Sequence, residues 1–330
     1  MRKLLVTNGD SAVGRLRAAG IEALVLPWRD ALHDGPVPRT GSLEELSAVR
    51  AEFLGAAFGH DPAEVRASFS ERDGLVRRHV DFDRLELWFE HDLYDQLQLL
   101  QVLHALAGRG RRRDVFLVQA RDHLGLQPTG SILALGRAAA PVTDRQFDLA
   151  ARIWDAFTAP DPQDLAARLD ADLAPLGYLR PALVRLLSEL PDTATGLSLT
   201  EARILEALAA GLTRPWEIFK AVSEAEEARW MGDASFFMRL DALAFTPHPP
   251  IEGLPGPFPF RAPRETHGYG PEAKAYVSAQ LRLTPFGREV VAGRADHARA
   301  NPRETWLGGT RLEPGRPWRF ERDTLRLKAP

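Results

Sequence analysis

Apolar and polar positions change period along the N-terminal part of the chain. Residues 3–7 enclose Leu4-Leu5-Val6, a short continuous apolar run of the kind a strand buried on both faces carries. Ser11 to Ala19 has helical spacing and is closed by Gly20, and Glu22 to Leu26 is a second apolar run stopped by Pro27. These predict a β-α-β unit, whose crossover is parallel and right-handed. A polar loop, Trp28 to Pro38, follows. Ser42 to Phe58 reads as a helix with Glu45 in the capping-box position, and Asp61-Pro62 opens another to about His79. Arg84 to Phe89 is a third strand, Leu93 to Ala107 a helix and Val115 to Gln119 a fourth strand. Strands alternating with helices predict an α/β fold, a Rossmann-like parallel sheet with helices on both faces.

Past Pro141 the strand pattern stops. Helices are expected at 144–157, 161–170 and 178–190, then a Pro-Asp-Thr-Ala-Thr-Gly linker at 191–196. Leu199 to Leu208, Pro215 to Ser223 and Asp233 to Leu243 read as three further helices. A Pro/Gly-rich excursion (247–271) leads to Leu283-Thr284-Pro285-Phe286-Gly287 and a final helix, and the tail around Trp306 and Trp318 reads as a last hairpin. Three helices followed by a hairpin and Leu-Thr-x-x-Gly are similar to a winged helix. The expected organisation is an α/β ligand-binding domain at 1–140, a helical connector at 141–194 and a winged-helix-like α+β domain at 195–330.

Composition narrows the chemistry. The 330 residues exceed one ordinary core. With no Cys, disulfides, thiolate nucleophiles and Cys-ligated metals are excluded. A net charge of −3 provides no global attraction to nucleic acid or anionic membrane. Met1-Arg2-Lys3 leads directly into the first strand, and no apolar run reaches the roughly 20 residues of a membrane span, so a cytoplasmic location is expected.

The chemistry-bearing residues cluster where strands end, the edge on which open α/β sheets bind ligands. The third strand runs into Glu90-His91-Asp92-Leu93-Tyr94-Asp95-Gln96, with three acids, an imidazole and an amide. Asp92 with Asp95 also fits a helix cap, which leaves Glu90, His91 and Gln96 unexplained. The first strand runs into Asn8-Gly9-Asp10-Ser11, which reads either as a ligand loop, with Gly9 admitting close backbone approach, or as an Asx turn capping a helix. It matches neither a Walker loop nor a dinucleotide fingerprint. After the second strand, Arg29 is a candidate anion clamp and Asp30 and His33 candidate proton carriers, against a structural Arg29–Asp30 pairing. Arg121-Asp122-His123 falls on the same edge as a weaker candidate.

Taken together, Thr7 to Ser11, Leu26-Pro27-Trp28-Arg29-Asp30, His33-x-Gly35-Pro36-Val37-Pro38 and Glu90 to Leu97 resemble a bacterial family catalogued as domain of unknown function eighteen-thirty-five. Its members often carry a second domain similar to 195–320. The resemblance implies a two-part architecture and assigns no catalytic roles.

Charge separates the possible ligands. Asp10, Asp30, Glu90, Asp92 and Asp95 outweigh Arg29, His33 and His91, so the crevice either holds a hard cation such as Mg²⁺ or Mn²⁺ or binds hydroxyls or a cationic ligand without metal. The leading expectation is an enzyme acting on a small polar, nucleotide-like or phosphorylated ligand by metal-assisted hydrolysis or group transfer. Asp10, Glu90, Asp92 and Asp95 would be metal ligands; Asn8, Gly9, Asp10, Ser11, Arg29 and Gln96 would bind the ligand; His91, His33 and Asp30 would move protons. The rival is a ligand-sensing transcriptional regulator. Its third helix would offer DNA only Arg239 beside Asp233 and Asp241, so a protein partner is favoured over nucleic acid for that domain.

Overall fold

The computed structural model describes residues 1–262, 264–265 and 268–330, with the backbone alone at 264, 265 and 268. The chain divides into two compact units. Unit 1 comprises Met1–Glu52, Ala63–Leu183 and Gly308–Thr310; unit 2 comprises Phe53–Pro62, Val184–Leu307 and Arg311–Pro330.

In chain order the first elements are β1 (Lys3–Thr7), α1 (Asp10–Ala18), β2 (Leu24–Pro27), α2 (Leu43–Phe58), α3 (Pro62–Arg77), β3 (Arg84–Glu90), α4 (Leu93–Gly108), β4 (Val115–Ala120), α5 (Thr129–Arg137), β5 (Ala140–Pro141), α6 (Asp144–Phe157) and α7 (Gln163–Ala167). The five strands form one sheet in the order β2-β1-β3-β4-β5. The first four are parallel, and β5 adds an antiparallel edge. The unit is thus a mixed α/β fold around a mostly parallel sheet.

Period-two alternation divides the strand residues between the faces. Leu5, Val25, Trp88 and Val118 meet Ala12, Val13 and Leu16 of α1 and Ile132 of α5 in one cluster. Leu4, Val6, Leu87, Phe89 and Leu117 alternate with them and are also buried. Helix α4 packs on α6 and is buried nearly all round, through Leu93, Leu97, Leu100, Leu103 and Leu106. Each such side chain contributes about 1.5–3 kcal/mol on burial, so packing rather than capping fixes its place. Helix α5 and strand β5 were not expected from the sequence. Thr-Gly-Ser-Ile-Leu-Ala-Leu-Gly-Arg carries two glycines and buries only Ile132 fully, and β5 is two residues long.

The later elements are α8 (Leu179–Leu187), α9 (Leu199–Ala209), α10 (Pro215–Glu224), α11 (Asp233–Ala244), β6 (Ile251–Glu252), β7 (Arg264–Glu265), β8 (Gly268–Tyr269), α12 (Pro271–Val277), β9 (Arg282–Leu283), α13 (Pro285–Val291), α14 (His297–Ala300), β10 (Thr305–Leu307), β11 (Thr310–Leu312), β12 (Arg319–Glu321) and β13 (Arg326–Lys328). The three helices α9–α11 share a core with Ile251, Tyr276 and Val290. β6 pairs antiparallel with β9, with the β7–β8 hairpin and α12 lying between them in sequence. The expected single tail hairpin is instead two ladders, β10–β11 and β12–β13. Leu283-Thr284-Pro285-Phe286-Gly287 has a physical explanation. Thr284 caps α13 by accepting the Gly287 N–H at 3.0 Å, and a Cβ at residue 287 would lie 2.0 Å from the Pro250 carbonyl oxygen. Among the described residues, no helix is long and apolar enough to cross a membrane.

Candidate metal centre

Chain order reverses between β1 and β3: β2 lies on the far side of β1, and β4 on the far side of β3. Such a switch point opens a crevice at the C-terminal strand ends. Thr7 is in register with Trp88, so Asn8 and Glu90 leave the sheet as neighbours. The Asn8 Nδ2 donates to Glu90 Oε1 at 3.0 Å and to Asp95 Oδ2 at 2.8 Å. Glu90 Oε1 also accepts the Leu124 N–H at 2.7 Å, and Glu90 Oε2 lies 2.8 Å from His123 Nδ1. The Glu90 carbonyl accepts from Gln96 Nε2 at 2.7 Å, which fastens α4 to the end of β3. Asp92 is the N-cap of α4 and accepts the Asp95 N–H at 3.0 Å. Capping is therefore part of the Asp92 role, and it engages one carboxylate oxygen.

Glu90, Asp92 and His123 bring one ligand atom each to within 4.8 Å of one another, and the group could hold a metal ion. Glu90 and Asp92 are buried, and the His123 side chain is 42% exposed. Burial pushes Asp92 up to about 7; the Glu90 charge adds to this, while the Asp95 N–H and His123 oppose it. Asp95 is held well above the ordinary carboxylate range, first by burial and then by the charges of Asp92 and Glu90, with the Asn8 amide opposing. Burial, then the Asp95 charge, raises the Tyr94 hydroxyl as well. Three carboxyl groups thus share a pocket that disfavours three negative charges. A proton or a cation relieves that cost.

No protein-family model matches the chain, and no curated protein matches it.

Several expected members stand elsewhere. Asp10 is not one of the three converging groups. Its side chain is 67% exposed and forms a bidentate pair with Arg29, at 2.9 Å to Nε and 2.6 Å to Nη2. That hydrogen bonding, against a desolvation cost, holds its carboxyl below the usual range. Arg29 adopts a left-handed backbone, φ 51°, and also donates to Ser68. Its fork is filled by Asp10, so it is not the open anion clamp the sequence suggested. Asp95 is fully buried behind Asn8 and stands outside the triad. Gln96 is a buried strut rather than an exposed ligand donor. Gly9 is the extended N-cap of α1, and a Cβ there would meet nothing within 4 Å, so no close approach by the protein requires glycine. Ser11 is exposed on the first turn of α1 and lies under Gly125, where a Cβ would fall 2.0 Å from its Oγ.

Asp30 and His33 belong to the scaffold. Asp30 has no exposed surface, and its Oδ1 accepts from Arg50 Nε at 2.9 Å. Arg50 further donates to the carbonyls of Ala31, Asp34 and Pro36, clamping the loop after β2. His33 is buried, with Nε2 3.2 Å from Asp34 and its ring edge-on to Tyr94. Both are thus engaged in the packing of the loop after β2 and lie outside the Glu90–Asp92–His123 group. His91 is half-buried between Glu90 and Asp92 in sequence, with a buried Nδ1 that has no hydrogen-bond partner. The sequence reading missed Asn8 as a bridge between two acids and Arg50 as the loop clamp. His123 obeyed the same strand-end rule but lay 33 residues from Glu90.

Proposed function

We infer that unit 1 is a Rossmann-like enzyme domain in which Glu90, Asp92 and His123 hold a divalent cation. The cation assists hydrolysis of a small polar ligand or transfer of a group to it. The observation that carries this reading is the convergence of these three side chains just beyond the C-terminal ends of β3 and β4, with Asp92 pushed up to about 7 by burial. Two carboxylates favour a hard ion, and the added imidazole shifts preference from Mg²⁺ toward Mn²⁺ or another transition ion. A bound cation acts as a Lewis acid on the ligand and lowers the pKa of its water. In this reading His91, between two of the ligands in sequence and half-buried, moves the proton. Membership of the family whose motifs the chain resembles is part of this reading, as is work in the cytoplasm.

Unit 2 reads as a winged-helix-like module for protein contact. Arg239, the one basic residue of α11, is bound to Glu189 through Nε at 3.0 Å, which withdraws it from a DNA groove. The regulator reading therefore gains no support from that helix.

The test is Mn²⁺ titration by calorimetry and electron paramagnetic resonance. Wild type is expected to bind one ion, and Glu90→Gln and His123→Ala to bind it at least about tenfold more weakly. His123 is partly exposed, so its variant folds even where the Glu90 variant does not. Equal heats in all three proteins would remove the metal centre.

A further inference from the structure

A cation site does not by itself say what it acts on, but the residues just beyond β4 add a second chemistry. Glu90 and Ala120 are register partners at the ends of β3 and β4, so His91 and Arg121 leave the sheet side by side. Arg121 is exposed, and its Nε donates to the Tyr178 hydroxyl at 3.1 Å. Tyr178 is partly buried just before α8 and sets its ring edge-on to His91, with centroids 5.7 Å apart and planes at 69°. The contacts thus run from Arg121 through Tyr178 to His91, which sits between two of the cation ligands. Its buried Nδ1 has no hydrogen-bond partner.

Tyr178 occupies only the Nε of Arg121. Among the described residues the two terminal nitrogens have no acceptor, and no carboxylate neutralises the guanidinium. A divalent cation held a few residues away would repel it unless an anion lay between them. The other arginine at this edge, Arg29, is already filled by Asp10. Helix α1 begins at the same edge with no side-chain cap, and its N-terminus favours an anion.

We propose, resting on the cation reading above, that the site takes a phosphoryl group bridged between the metal and the Arg121 guanidinium. Tyr178 is the positioning residue that fixes the plane of the guanidinium. Divalent ions bound by few carboxylates typically complete their shell with substrate phosphate oxygens, and the arginine fork matches a phosphoryl face. The phosphoryl group belongs either to a phosphate monoester or to free phosphate.

The test uses the full chain loaded with Mn²⁺. ³¹P relaxation of inorganic phosphate and of phenyl phosphate reads proximity to the ion, and paramagnetic resonance reads ion binding separately. Wild type is expected to relax at least one probe strongly, and the tighter probe identifies the source. Arg121→Gln is expected to keep its Mn²⁺ and lose about 10- to 100-fold in phosphoryl affinity. Arg121→Lys, which keeps the charge without the fork, should fall between them. Tyr178→Phe should weaken phosphoryl binding with Mn²⁺ unchanged, and adding it to Arg121→Gln should cost nothing more. Phosphoryl affinity unchanged in Arg121→Gln, with Mn²⁺ bound, would overturn this inference and leave the cation reading standing. Absence of Mn²⁺ binding in wild type would overturn both.

Discussion

At the scale of single residues, side chains outside the triad govern how the site behaves. Asn8 spans two acids with one amide. Asn8→Ala is expected to weaken Mn²⁺ binding about 10- to 100-fold, the usual cost of losing a group that orients a ligand, as read by calorimetry. Arg50 lies at no strand end, yet it holds the Asp30 carboxylate where neither is exposed. Arg50→Met should cost about 3–5 kcal/mol in urea unfolding because it strands a buried charge. Adding Asp30→Asn should recover part of that loss. A further loss on adding it would mean that Asp30 is held by other means. Neither role was legible in the sequence, since Asn8 reads as part of a ligand loop or an Asx turn and Arg50 as one more helix arginine.

At the scale of elements, the legible parts were those with strong patterns. β1 and β4 carry continuous apolar runs and β3 one interrupted only by Glu86, because both faces of these strands are covered, and α4 follows a clear cap. The strand-end rule then located Glu90 and Asp92 together. It also gathered Asp10, Asp30 and His33, because it places residues on an edge without saying which partner each will take. A left-handed Arg29 turns its fork onto Asp10, and the following helix, α2, supplies the arginine for Asp30 from 20 residues along the chain. Such pairings depend on tertiary distances that periodicity does not carry. In unit 2 the close approach of α13 to Pro250 makes a direct prediction. Gly287→Ala places a methyl against a backbone carbonyl that cannot rotate away, and should cost about 1–3 kcal/mol in thermal melts. Ser198, the N-cap of α9 in a reciprocal pair with Glu201, should cost about 1 kcal/mol when changed to Ala. A Gly287→Ala melt unchanged from wild type would mean the loop at Pro250 yields freely.

At the scale of the whole molecule, unit 2 carries a buried charge network with a defined acid response. Burial works to raise the Glu189 pKa, but Arg185 and Arg239 override it and hold the group at about 2, against an ordinary 4.5. A depressed folded value means the stabilisation is complete above 4.5 and is lost as pH falls toward 2. Thermal melts of unit 2 signals from pH 6 to pH 2 should decline across that window. Glu189→Gln should flatten the decline while lowering the melting point at neutral pH, and an unaltered slope would assign the acid response elsewhere. In unit 1, Glu90 joins its neighbours in a different way. Its carboxylate and carbonyl together take up β1 through Asn8, the segment after β4 through His123 and Leu124, and α4 through Gln96. A ligand on Glu90 therefore couples to three segments of the chain at once. At a concentration a hundred times its dissociation constant, a true ligand adds about 2.7 kcal/mol to stability, several degrees of melting temperature for a domain of this size. The domain is thus its own thermometer, and a melting screen of metal ions and phosphorylated compounds reads binding of either without an activity assay.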